Sequence, residues 1–371
     1  MITMIENGKI DELESPLNTD RVSLEFALWM ERIHGKGEDA EPIVDHKDNS
    51  GLIAVFDGMG GSGSEEYHHI EKKVSHTSAY FASRTIRDFV KEFLDKELNT
   101  SKAEINSELI SRLESDLSTH LKEQLNKYEV STSRIISRIK RKLPSTMVAI
   151  HYMYKNSEIE CNIFWSGDSR AYILKPSMLH LVSKDDVKDI LENDTDSGLD
   201  APLSNFISAD SDFKINHKYI KESTPVILLV VSDGCYAYMQ TPIHFDLMLI
   251  ETLSNSEIFG DWESLIEKHL KEIAGDDCSM ALACIGWENF ESVKSSFKER
   301  LTVLRNISEP INKINSKIDD LQPKSTMTSD NEHFCEENRN EVESLKTQKK
   351  QTEQEQLSSY QRYYQSLTNA S

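Results

Sequence analysis

No stretch of this chain stays apolar for the ~20 residues that a bilayer span needs. Its opening segment, MITMIENGKIDELESP, is acidic and lacks the apolar core of a secretory signal. Cysteine is scarce. The five thiols, Cys161, Cys235, Cys278, Cys284 and Cys335, are odd in number and show no C-x-x-C spacing. Neither a disulfide framework nor a zinc site is implied, and most of them read as small core hydrophobes. Positive charge is in deficit, with 42 Lys and Arg against 63 Asp and Glu and a net charge of −21. Phosphate backbones and anionic membrane surfaces attract the opposite balance. Nucleic acid and membrane are therefore not expected partners, and a cytoplasmic setting is expected. At 371 residues and 38% hydrophobic, the chain can bury one large core or two smaller ones.

Leu52 to Glu65 reads LIAVFDGMGGSGSE, an apolar run that ends in an acid and then places glycine at four of the next six positions. Gly58, Gly60 and Gly63 satisfy G-x-G-x-x-G. The dinucleotide fingerprint also requires a second strand ending in an acid about 20 residues on, and the following sequence is long, polar and helical in pattern. No Gly-Lys-Ser/Thr follows, which excludes a P-loop. A plain Asp-Gly turn is the simplest remaining reading.

The apolar pattern predicts an opening strand within Val22–His34 and a second over Leu52–Phe56. Helical spacing is expected from Glu65 to about Leu98 (Ile70, Val74, Phe81, Phe89, Phe93). It is expected again from about Ala103 to Lys142, with Leu109, Leu113, Leu117 and Leu121 at four-residue steps. The period then becomes two. Thr146–Tyr154, Ile159–Ser166, Ala171–Leu174 and Leu179–Val182 read as a meander, with further strands at Pro225–Ser232 and Met280–Ile285 and helix at about 241–273. Antiparallel sheets packed face to face, with helices on their outer faces, satisfy the layer rule: an α+β fold with a β-sandwich at its centre.

Acids recur where apolar runs end: Glu38-Asp39 in HGKGEDA, Asp57-Gly58 after LIAVF, Asp168 in FWSGDSRAYIL, Asp233-Gly234 after PVILLVVS, and Asp276-Asp277 before CSMALACIG. Carboxylates crowded on one rim raise each other's pKa, and a hard divalent cation with oxygen ligands relieves that repulsion. Glycine after Asp57 and Asp233 lets backbone approach closely.

These five stations, in this order and at this spacing, resemble the metal-dependent type 2C serine/threonine protein phosphatases, whose signatures read roughly NEDA, DGMGG or DGHGG, GDSRAY, SDG and DN-x-T. The likeness covers about residues 20–288. It implies an α-β-β-α four-layer fold and hydrolysis of protein phosphoserine and phosphothreonine by an activated water, without a phospho-enzyme. It implies two Mn²⁺ or Mg²⁺ ions and a third, weaker one. Asp57 resembles the carboxylate shared by two ions, with the Gly58 carbonyl on one of them. Glu38, Asp233 and Asp276 resemble the remaining ligands, Asp39 a partner acting through water, and Asp168 the weaker third-ion residue. Asp57, Asp233 and Asp276 are the expected catalytic set. The family commonly carries an Arg four residues before the Glu of the first motif; this chain has His34, flanked by Arg32 and Lys36. These three are the candidates for holding substrate phosphate. A pseudophosphatase that binds phosphoproteins or other partners without efficient turnover is the competing reading, and a small phosphorylated metabolite is a third.

The expected division is a lead over 1–20, a catalytic domain over 21–290 and a helical extension over 291–371. Phe297, Leu301, Leu304, Ile307, Ile311, Ile314, Ile318 and Leu321 form a heptad-like seam interrupted by Pro310. After a polar break at Gln322–Asn340, Leu357, Tyr360, Tyr364 and Leu367 mark a second helix. This αα-hairpin or coiled coil either packs on its own catalytic domain or serves a second copy or another protein.

Overall fold

The computed structural model describes residues 24–47, 49–100, 105–130, 140–155, 157–188, 202–239, 241–321 and 341–358. Two five-stranded antiparallel sheets lie at its centre. In spatial order the first holds β1 (Leu24–Met30), β13 (Cys278–Ile285), β12 (Val226–Val231), β9 (Arg170–Lys175) and β10 (Met178–Leu181). The second holds β11 (Asn216–Ser223), β8 (Glu158–Ser166), β7 (Met147–Lys155), β3 (Ser50–Val55) and β2 (Ile43–Lys47). A small sheet orders β5 (Val74–Thr77), β4 (Glu66–His69) and β6 (Tyr128–Val130).

β12 shows why the central strands read as unbroken apolar runs. Val226, Leu228 and Val230 point into the core between the sheets, while Ile227, Leu229 and Val231 point outward under helices. A strand buried on both faces loses its alternation. The outer face of the first sheet is covered by α3 (Pro242–Asn255), α4 (Phe259–Ile273), α5 (Phe290–Ser296) and the start of α6 (Lys298–Leu321). The outer face of the second is covered by α1 (Ser78–Thr100) and α2 (Ser107–Gln124), whose Leu109, Leu113, Leu117 and Leu121 are buried as their spacing predicts. The α-β-β-α layering inferred from the sequence is the fold observed.

Several boundaries differ from expectation. The stretch expected to be helical from Glu65 onward begins as the β4–β5 hairpin, and α1 starts only at Ser78. Alternation is present there: Tyr67 and His69 are buried, but strands of four residues are too short for the pattern to stand out. His68, His69 and His76 therefore sit on strands and not on a helix surface. His76 stacks on Tyr80 with ring centroids 3.7 Å apart. The second helical region ends at Gln124 and leads into β6, which pairs with β4. The edge strands β2 and β11 carry mixed side chains and were not marked by an apolar run.

The C-terminal seam faces the chain's own core. Phe297, Leu301 and Leu304 belong to the same cluster as Trp262 of α4 and Leu249 of α3, and Ile307 packs against it. Arg300 forms a buried ion pair with Asp246 of α3 and donates to the Ser177 carbonyl in the β9–β10 turn. Pro310 lies inside α6. A further helix, α7 (341–358), is tied to α6 by the Gln356 side-chain amide, which donates to the Ile307 carbonyl. Cys335, Tyr360, Tyr364, Leu367 and the lead over 1–20 lie outside the described residues. Among the described residues no helix is long and apolar enough to cross a membrane.

Candidate active site

Asp57 follows the end of β3, where its carbonyl accepts hydrogen bonds from Thr146 N (2.8 Å) and Ser145 Oγ (2.6 Å). These bonds hold the acid at the lip between β3 and β7. The glycines beside it are there for close approach. A Cβ on Gly58 would stand 2.5 Å from the Ala79 carbonyl and 2.6 Å from that of Glu38. One on Gly60 would stand 1.8 Å from Glu38 Oε2. The loop thus wraps Glu38 and does not cradle a nucleotide, which settles the G-x-G-x-x-G question.

Glu38 lies on the loop from β1 to β2. Thr77 Oγ1 donates to its Oε1 at 2.5 Å, and its carbonyl accepts from Ser83 Oγ at 2.5 Å. Arg84 of α1 also donates to the carbonyls of Glu38 and Gly37. Burial raises the Glu38 pKa. Asp39, next in sequence, is 2% exposed and accepts from Ser279 Oγ.

Four carboxyls crowd together from different elements. Burial pushes Asp39 up to about 7, against the hydrogen bond it accepts from Ser279. Burial and then the charges of Asp39, Asp233 and Asp168 hold Asp57 well above the usual carboxylate range. Asp168, in the turn from β8 to β9, is pushed to about 7 by burial and by Asp233. Asp233, in the turn that ends β12, is pushed to about 6 by burial, Asp39 and Asp276. Asp276 is exposed at the mouth before β13, and its Oδ1 accepts the N–H of Asp277 at 2.9 Å.

The structure thus brings Glu38, Asp39, Asp57, Gly58, Asp168, Asp233 and Asp276 together. It does not bring Arg32, His34 and Lys36 into the cleft that these acids line. All three are exposed on the β1–β2 loop, where His34 Nδ1 stands 3.5 Å from Glu31 Oε2. The guanidinium that does line the cleft is Arg170. Two of its nitrogens, Nε and Nη2, bond to Asp185, and it sits 3.8 Å over the Tyr236 ring.

Two supporting residues stand behind these acids; the resemblance implies such a role for Asp277, and Thr77 escaped the sequence reading. Asp277 accepts backbone N–H groups from Arg32 and Glu38, and Thr77 steadies the Glu38 carboxylate. The Asp-Asp doublet was a signal for the first. Nothing marked the second, because its partner is 39 residues away.

The donor set suits a hard divalent cation. It consists of carboxylate and carbonyl oxygens, most of them buried, and the charges of Arg84 on Glu38 and Arg170 on Asp168 are minor beside burial and the neighbouring acids. The nearby thiols Cys235 and Cys278 are turned to the carbonyls of Ser279 and Asp276. Among the described residues, no three His, Cys, Asp or Glu side chains close on one point as a finished cage. Mg²⁺-like ions take one or two carboxylates and keep several waters, so they do not require one.

The cleft has a volume of about 1460 Å³. It runs from the acids along β9 and β10 to Leu357 of α7.

Comparison with curated proteins found no match. Among solved structures, the serine/threonine phosphatase PstP/Ppp of Mycobacterium tuberculosis is 15% identical. It covers 71% of this chain and 99% of its own, with a TM-score of 0.45. The catalytic domain of PstP in complex with two manganese ions is 14% identical over 71% and 97%, with a TM-score of 0.43. Stp1 of Staphylococcus aureus is 15% identical over 76% and 100%, with a TM-score of 0.46. The family model described as protein phosphatase 2C matches residues 36–273, well over half the chain and all five acid stations but the last. On that match, the chain belongs to the protein phosphatase 2C family.

Proposed function

We propose that this protein hydrolyses phosphoserine and phosphothreonine in proteins, using a water activated at a pair of Mn²⁺ or Mg²⁺ ions. The observation that carries the reading is the crowding of Asp39, Asp57, Asp168 and Asp233, each pushed above its ordinary pKa by burial and by its neighbours. Such an arrangement costs stability unless a cation joins it. Glu38, Asp57, the Gly58 carbonyl, Asp233 and Asp276 are the proposed ligands of the two ions, and Asp168 that of a weaker third.

Bound divalent cations supply the charge that activates a water and offsets negative charge developing on the phosphoryl group. The protein's own groups hold that geometry. Asp39, held by the hydrogen bond it accepts from Ser279, backs the Asp57 carboxyl. Thr77 and Asp277 fix Glu38 from its side chain and its backbone. Arg32, His34 and Lys36 remain the proposed attraction for substrate phosphate, acting from the exposed loop that leads into Glu38.

The open, elongated shape of the cleft, which runs from the acids along β9 and β10 to Leu357 of α7, suits an extended polypeptide. The test is phosphate release, with Mn²⁺ present, from matched phosphoserine, phosphothreonine and phosphotyrosine peptides and from small sugar phosphates. Release from the first two above the others is expected; turnover of sugar phosphates alone would overturn the reading.

One observation favours the pseudophosphatase reading. Among the described residues lining the cleft, the one Lys or Arg side chain is Arg170, and Asp185 engages it. Tight binding of the same peptides with no phosphate released in Mn²⁺ would select that reading.

A further inference from the structure

The acids occupy one end of the cleft, and the remainder is walled by apolar side chains: Leu179, Leu181, Val187, Tyr238, Met239 and Leu357. Four of these keep much of their surface in solvent, with Leu181 37%, Val187 41%, Tyr238 45% and Leu357 39% exposed. Large exposed hydrophobics that share one trough mark a binding surface more often than scattered ones do.

The wall is built from four places in the sequence. Leu179 and Leu181 come from β10, whose turn is held by Arg300 of α6 through the Ser177 carbonyl. Val187 bridges to Leu203. Tyr238 and Met239 follow the Asp233 turn, and Leu357 comes from α7.

The junction with the acid end is tight. Tyr236 Oη donates to the Asp168 carbonyl at 2.8 Å, and Arg170 lies over the same ring. The trough is thus one continuous path for a chain whose phosphorylated residue reaches the acids.

We propose that the trough is a specificity subsite for the substrate polypeptide, seating a large aliphatic or aromatic side chain a few residues from the phosphorylated one. Leu357 of α7 forms its far wall. The inference rests on the phosphatase reading of the acid end, with which the trough is continuous. The C-terminal helices, which lie outside the acid motifs, thereby contribute to substrate choice.

The test uses two phosphothreonine peptides of equal net charge that differ only in Leu or Ala three residues from the phosphothreonine. The full chain and its Leu181→Asp and Leu357→Asp variants are compared by the ratio of kcat/KM for the two peptides. Because the ratio is internal to each protein, partial loss of folded enzyme does not affect it. The wild type is expected to prefer the Leu peptide by about tenfold, the scale of a few methylenes in an apolar pocket, and each variant to bring the ratio near one. An equal ratio in the wild type, at either side of the phosphothreonine, would overturn the subsite. So would a preference that both variants keep. A Leu357→Asp variant that speeds both peptides and p-nitrophenyl phosphate alike would show the chain's own C-terminal segment in the trough, which also overturns it. If the wild type hydrolyses nothing in Mn²⁺, the phosphatase reading fails separately. Fluorescence anisotropy with the same peptides then decides the subsite, with the same ratio of affinities expected.

Discussion

The Asp277 carboxylate accepts the backbone N–H of Glu38 at 2.6 Å through one oxygen and that of Arg32 at 2.8 Å through the other. A buried acid at the start of β13 thus clamps both ends of the loop that carries Glu38. Asp277→Ala removes both acceptors, whereas Asp277→Asn keeps one carbonyl oxygen and loses the charge. Supporting groups of this kind typically contribute 10–100-fold to metal affinity or activity. The Mn²⁺ concentration for half-maximal hydrolysis is expected to rise on the order of tenfold or more in Asp277→Ala and less in Asp277→Asn. Equal Mn²⁺ dependence in all three proteins would remove Asp277 from the account.

Arg300 and Asp246 bury opposite charges, 2% and 0% exposed at the side chain, between α6 and α3. Removing one partner of such a pair typically costs about 3–5 kcal/mol, whereas an apolar pair of similar size is near neutral. Arg300→Ala is expected to lose that much in urea unfolding, and the double variant Arg300→Met, Asp246→Leu to regain most of it. Ending the chain near residue 290 removes Val293, Phe297, Leu301 and Leu304 from the core cluster. The truncated protein is expected to aggregate or unfold, and a soluble, cooperatively folding 1–290 would contradict this packing.

Much of this was legible in the sequence, for reasons tied to particular segments. PVILLVVS announced a buried strand, and the four-residue steps of Leu109 to Leu121 announced α2. The acid stations could be read because each sits at one end of an apolar run. The β4–β5 hairpin could not. Its strands are four residues long, and they are stabilised by β6, some 50 residues on. The fate of the C-terminal seam was equally hidden, because heptad spacing shows that a face exists and not what covers it. In the site, Arg32, His34 and Lys36 were singled out by closeness in sequence to Glu38. The loop instead turns their side chains to solvent, while Arg170 reaches the cleft from β9.

His151 of β7 is 9% exposed, and its Nδ1 is buried without a hydrogen-bond partner among the described residues. Burial pulls its pKa down to about 4, against about 6.5 in the unfolded chain. The unfolded state therefore binds more protons between these values. The associated stability is fully present above about pH 6.5 and is lost as pH falls toward 4, with about 2 kcal/mol gone by pH 5. Urea unfolding of the wild type and His151→Leu at pH 7 and pH 5 isolates this contribution. The loss on acidification is expected to be about 2 kcal/mol smaller in the variant. Equal losses would mean that His151 takes up its proton in the folded state at its ordinary pKa.

The most direct test of the central claim is phosphate release from a phosphothreonine peptide as Mn²⁺ is added back to EDTA-treated protein, with Asp57→Asn titrated in parallel. The acid cluster predicts no turnover in EDTA and a saturable recovery in the wild type. For Asp57→Asn it predicts a maximal rate lower by several orders of magnitude, because this change removes a charge from the centre of the site. Full activity in EDTA, or an Asp57→Asn titration that overlays the wild type, would contradict it.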